Sequence, residues 1–155
     1  MRRRIVGVAL VAMLLAAHVS AAQSSATEES LKLAHQLLLS GISTGNPAVV
    51  EPLLARDGIG FFRDAQAIAQ LGGAYGVHEA LPSVLADLAR FSMATYDVVY
   101  RVTGTTGVVC MAGRMTPRKG EKGTARYLRS TWVYAYVDGL WRLVSWHSSD
   151  VPVKK

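Results

Sequence analysis

The sequence predicts an α+β domain, with helices first and then a four-strand antiparallel meander. Three observations carry that expectation. Apolar residues recur at helical spacing from Glu28 to about Phe91; after Ser92 the period changes to two. Asp138-Gly139, the strongest short hairpin signal, then joins the last two apolar runs. The chain has 155 residues, 50% hydrophobic and 18% charged, which fits one folded domain and excludes general disorder.

Residues 1–22 read as an export signal. Arg2, Arg3 and Arg4 precede an apolar run from Ile5 to Ala17, and Ser20-Ala21-Ala22 offers the small side chains a signal peptidase reads, favouring cleavage before Gln23. The run is short for a membrane span, an uncleaved anchor being the alternative, and nothing later approaches membrane length. A periplasmic or secreted location follows. Without residues 1–22 the formal charge falls from +6 to +3, a mildly basic surface and not a nucleic-acid footprint. The single cysteine, Cys110, excludes an intramolecular disulfide and a thiolate zinc cluster, and is expected buried in a strand. His78-Glu79 lacks the second histidine of a zinc helix, so no metal or other cofactor is expected.

The domain is expected over residues 28–152. Thr27 or Ser25 caps a first helix from Glu28, whose core stripe is Leu31, Ala34, Leu37/Leu38 and Ile42, with His35 on the surface. The stretch from Gly41 to Pro47 ends it. Pro47 opens a short second helix with Val49, Val50, Leu53 and Leu54 turned to the core. Arg56-Asp57-Gly58 reads as a turn and Ile59 to Arg63 as a short strand. A third helix covers about Val77 to Arg90, with Pro82 near its beginning.

Four strands follow: Thr95–Thr103, Val108–Met115, and residues 126–137 and 140–149. Arg118, Lys119 and Lys122 lie in a solvated loop between the second and third. A two-residue turn at Asp138-Gly139 pairs Tyr136 with Trp141 and Ser130 with His147. One face of the hairpin then carries Trp132, Tyr134, Trp141, Leu143 and His147; the other carries Thr131, Val133, Val144 and Trp146. Both faces are substantially apolar, with Arg129, Arg142 and Ser148 interspersed on the second, whereas a sheet covered by helices on one side normally shows water a polar second face. The second face is therefore expected to be covered by another copy, giving a homodimer with Trp146 near the interface.

The residues Arg129-Ser130-Thr131, Val133, Asp138-Gly139-Leu140-Trp141-Arg142-Leu143-Val144 and His147-Ser148-Ser149, in this order behind leading helices, resemble the C-terminal hairpin of the nuclear transport factor 2-like superfamily. Its SnoaL-like, ketosteroid-isomerase-like and calcium/calmodulin-dependent kinase association-domain groups are the most similar. Ala112-Gly113-Arg114 and Phe62-Arg63-Asp64 sit where that superfamily has comparable features. The resemblance implies a cone: three helices packed on a strongly curved antiparallel sheet, an internal pocket at the wide end, and dimers through the sheet's outer face. It does not choose a function, because fold alone never does.

Two classes of function stay open. The first is a pocket that binds a small hydrophobic ligand, or mediates association, without catalysis. The second is an isomerase, cyclase or hydrolase. For the second, Asp64 beside Phe61-Phe62 is a candidate proton-transferring base, or else a turn aspartate paired with Arg63. His147 is a candidate acid/base, or else a core histidine. Arg129 would hold a ligand carboxylate or pair with an acid at the sheet edge. Tyr96, Tyr134 and Trp132 are candidate pocket residues, or ordinary packing at strand positions.

Overall fold

The computed structural model describes residues 25–61, 69–70 and 77–152; the expected export signal and Asp64 lie outside them. Helix α1 (Glu28–Thr44) starts on a reciprocal cap. The Thr27 hydroxyl accepts the Ser30 N–H at 3.1 Å and the Ser30 hydroxyl accepts the Thr27 N–H at 3.0 Å, while Glu28 and Glu29 face the positive end of the dipole. The helix runs past its expected stop at Gly41 and ends at Gly45, whose φ of 65° suits only a residue without a Cβ strain. Gly41 is a close-approach site: a Cβ there would meet Val50 Cγ2 at 2.7 Å. That contact seats α2 (Pro47–Val50) and the 3₁₀ turn Glu51–Leu53 against α1, burying Val50 and Leu53.

Strand β1 (Leu54–Phe61) absorbs the expected turn at Arg56–Gly58 as an irregularity. Leu54 lies opposite Leu143 and Ile59 opposite Ser145, so the strand spends extra residues over a short stretch of its partner. Strand β2 (Ala69–Gln70) pairs with its end. Helix α3 (Val77–Ala89) carries Pro82 inside rather than at its start, and buries Leu81 and Leu85. Phe91, expected to close that helix, opens β3 (Phe91–Thr103).

Strands β4 (Thr106–Pro117), β5 (Arg126–Val137) and β6 (Leu140–Asp150) complete a six-stranded sheet of order β2-β1-β6-β5-β4-β3. It is antiparallel except for the β1–β6 pair, so the expected meander gains a parallel neighbour at one edge. Two bulges bend it, as an unpaired extra residue increases local twist. One is at Asp97, whose φ is 52°, between the pairs Tyr96–Ala112 and Val99–Cys110. The other is at Val144, between the pairs Tyr134–Leu143 and Val133–Ser145.

The Val144 bulge corrects the expected hairpin register. Tyr136 still faces Trp141, but beyond the bulge Trp132 faces Trp146, Thr131 faces His147, and Ser130 faces Ser148. Every side chain of β6 after Val144 is therefore on the opposite face from strict alternation. Trp146 is buried on the inner face and His147 exposed on the outer one. Trp146 lies so close to β1 that any Cβ on Gly60 would overlap its indole.

The inner face closes on α1. Leu31, Ala34 and Leu38 pack with Val109, Tyr134, Trp141 and Leu143 in one core. The Trp141 indole N–H donates to Ser30 Oγ at 2.9 Å, so the capping serine also ties the helix to the sheet.

Candidate functional site

Between the helices and the far half of the inner face lies a cavity of about 340 Å³, within the usual range for small-molecule pockets. From α1 and α2 come Leu38, Ile42 and Val50, and from α3 Leu81, Leu85 and Leu88. The sheet supplies Met93, Met111 and Met115 from β3 and β4, and Trp132, Leu143 and Trp146 from β5 and β6. Three unbranched thioether side chains in one wall make it adaptable in shape.

The polar side chains among the described lining residues are few. Ser43 and Asp87 belong to the helices; Ser130 and Ser148 belong to the sheet. Asp87 has 81% of its side chain exposed and lies 3.7 Å from the Arg90 guanidinium. Ser130 is 8% exposed, and its Oγ is 2.7 Å from Ser148 Oγ. The indole Nε1 of Trp132 is buried with no hydrogen-bond partner among the described residues.

Behind Trp132 sits a buried aromatic cluster. His35 makes edge-on contacts with Trp132, Tyr134 and Tyr100, at centroid distances of 5.3, 5.9 and 5.9 Å. Its Nδ1 is 2.7 Å from the Tyr134 hydroxyl, and its Nε2 has no partner among the described residues. Burial lowers the His35 pKa to about 4, so the ring is neutral at pH 7, and burial also pushes Tyr134 well above the ordinary tyrosine range. The pair is a neutral hydrogen bond inside the core. His35, expected on the surface, is 1% exposed.

The residues singled out from sequence are dispersed. Trp132 lines the cavity. Tyr134 is fully buried beside His35 and is absent from the described lining. Tyr96 is 43% exposed, in the cross-strand row of Ala112 and Arg129. Arg129 is exposed and donates from Nε to Ser149 Oγ at 3.1 Å. His147 shares an exposed outer row with Thr131, Cys110 and Val99, away from Trp141 and Leu143, with which it was expected to stand. Cys110, expected buried, is exposed there, 3.8 Å from Thr131 Oγ1. Asp64 is outside the described residues. The residues missed are Ser130 and Ser148, which the bulge brings together, and the methionine wall. Among the described residues no group of His, Cys, Asp or Glu is placed to hold a metal, and no helix is long and apolar enough to cross a membrane.

No family model and no curated protein matches the chain. Solved structures do. An NTF2-like protein of unknown function from Pseudomonas putida superposes with a TM-score of 0.69 at 12% identity, covering 82% of this chain and 87% of its own. A dehydratase candidate of the NTF2-like family from Streptomyces avermitilis gives 0.66 at 19% identity, over 81% and 96% of the two chains. A candidate calcium/calmodulin-dependent protein kinase II association domain from Xanthomonas campestris gives 0.62 at 22%, over 83% and 91%. At these identities the likeness concerns the fold alone. The chain therefore has the nuclear transport factor 2-like cone fold, a curved and mainly antiparallel sheet closed by helices over an apolar cavity.

Proposed function

We propose that this is an exported domain that holds a small hydrophobic molecule in its cavity without transforming it, and that it works as a homodimer. The observation that carries the first part is the chemistry of the wall. Among the described lining residues Asp87 is the one titratable group, and it stands mostly in solvent. Acid–base catalysis needs a proton-transferring group within hydrogen-bond reach of the substrate. The described wall offers apolar surface and three serine hydroxyls instead, Ser43 from α1 and Ser130 and Ser148 from the sheet.

The direct test is displacement of a hydrophobic fluorophore from the mature protein, with Met111→Trp as the variant that fills the cavity. Binding that disappears in Met111→Trp, while the far-UV spectrum is kept, supports the reading; binding indifferent to it refutes it. N-terminal sequencing of the exported chain checks the signal, the expected first residue being Gln23.

An enzymatic reading retains two supports. Asp64 follows β1 by three residues, and Gly60 of β1 pairs with the cavity residue Trp146; one similar fold belongs to a dehydratase candidate. On that reading Asp64 is the base of an isomerase, cyclase or hydrolase, and His147, on the outer face, takes no part. Turnover of a ketone, epoxide or ester that vanishes in Asp64→Asn would put this reading in place of ours.

Dimerisation rests on the outer face after its correction. Trp146 has left it, yet Ile59 and Val99 remain 48% and 46% exposed there, beside half-buried Val108, Val133 and Ala135. These apolar side chains alternate with Ser145, Thr131, His147 and Arg101, a mixed face of the kind that partners cover at moderately polar interfaces. The mature protein should sediment as a dimer at tens of micromolar, and Val133→Glu as a folded monomer. A wild-type monomer at that concentration refutes the proposal.

A further inference from the structure

The Val144 bulge sets two hydroxyls facing each other inside an otherwise apolar wall. Ser130 and Ser148 are direct cross-strand partners, with Met111 next to Ser130 on β4. The neighbouring inner row is the pair Trp132–Trp146. Both serines line the cavity. Their oxygens lie 2.7 Å apart. A hydroxyl carries one donor and two acceptor positions, so a pair bonded to itself keeps one O–H to donate and lone pairs to accept. In an apolar wall such unused capacity is costly unless water or a ligand meets it. Trp132 adds a second uncommitted donor, its indole N–H, buried without an acceptor among the described residues.

The same wall says what the ligand is not. No lysine, arginine or histidine is among the described lining residues, so an anion would find no countercharge in the described wall. The one carboxylate among the described lining residues, Asp87, is mostly solvated and already beside Arg90, so a buried cation would find no partner in the described wall. An ion moved into such a site without a counterion loses far more hydration than hydroxyls return.

We propose that Ser130 and Ser148 form the polar recognition site of the cavity, and that its ligand is an uncharged molecule with one hydroxyl or carbonyl oxygen on an otherwise apolar body. This rests on the cavity being a ligand site, as argued above. It adds which atoms recognise the ligand and which charge classes are refused.

Four bicycles of one shape separate the possibilities: naphthol, methylnaphthalene, naphthoate and naphthylmethylamine, each titrated against a bound hydrophobic fluorophore at neutral pH. They are compared in the wild-type protein and in the double variant Ser130→Ala/Ser148→Ala. Removing both partners of a hydrogen bond together leaves neither unsatisfied, so the double variant should fold as the wild type does. The expected result is that it weakens naphthol about five-fold, the worth of one neutral hydrogen bond, and leaves methylnaphthalene unchanged. In the wild type naphthoate and naphthylmethylamine should bind at least about a hundred-fold more weakly than naphthol. If none of the four displaces the fluorophore, the binding reading itself falls. If naphthol and methylnaphthalene respond alike to the double variant, the hydroxyl pair is not the recognition site, although the cavity still binds. If naphthoate or the amine binds tightest in the wild type, the exclusion of charge is wrong.

Discussion

Replacing Trp146 with alanine tests the corrected sheet at the place where alternation and structure disagree. Trp146 is 9% exposed and lies between Gly60 of β1 and Trp132 of β5. A buried indole removes about 150–250 Å² from water, and at about 25 cal/mol per Å² the burial of Trp146 stabilises by about 4–6 kcal/mol as an upper range. Part of its surface already borders the cavity rather than packed atoms, and the unfolded chain keeps part of it from water, so the value falls below that range and we expect a loss of about 3 kcal/mol. With an m-value of about 1.5 kcal/mol/M, the urea midpoint should fall by about 2 M at unchanged m. The assay is far-UV circular dichroism at several protein concentrations, since association would add its own stabilisation. Had Trp146 stood on the outer face, alanine would change the subunit stability by no more than about 0.5 kcal/mol and act on association instead. A midpoint that hardly moves, together with a dimer that falls apart, would therefore refute the register described here.

Two further perturbations follow from buried or strained groups. The folded pKa of His35 is about 4 against 6.5 for the free side chain. Between these values the unfolded chain takes up a proton that the folded chain refuses, so this stability is complete above the upper value and lost as pH falls to the lower. The loss should approach about 3 kcal/mol. The midpoint of His35→Gln should fall less with acid than that of the wild type; parallel curves would contradict the assignment. At Asp97, with φ 52°, a β-branched residue is strained: Asp97→Val should cost about 1–2 kcal/mol, while Asp97→Gly should match or exceed the wild-type melting temperature. Equal melting temperatures for the two variants would refute the strain argument.

The elements were legible where one local rule decides them. Thr27 and Ser30 write their own cap, Pro47 starts a helix, and Asp138-Gly139 fixes the hairpin turn. The site was less legible because it depends on a bulge, which adds a residue without any residue type that announces it. A signal existed nevertheless. Trp141, Leu143 and Trp146 are large apolar side chains spaced by two and then by three, and strict alternation puts the last of them in water while keeping His147 inside. Burial of the indole outweighs the regularity of the ladder. His35 was legible too: with Leu31, Ala34 and Leu38 it completes a stripe at helical spacing, and only its polarity argued for the surface. Gly41 shows the opposite failure, a residue read as a stop whose task is to let another helix come close.

The extra residue at Val144 acts on β6 as a one-letter insertion acts on a reading frame, exchanging every position downstream. Were the bulge ironed out, with Val144 taken into the ladder opposite Val133, His147 would stand opposite Ser130 and Ser148 would turn to the outside. The same side chains, shifted by one, would line the cavity with an imidazole in place of a hydroxyl. In this sheet the step from a hydroxyl to an imidazole on the cavity wall is therefore one position of register and needs no new functional group. A bulge formed or smoothed out on such a strand changes what the cavity meets while leaving the residues themselves in place.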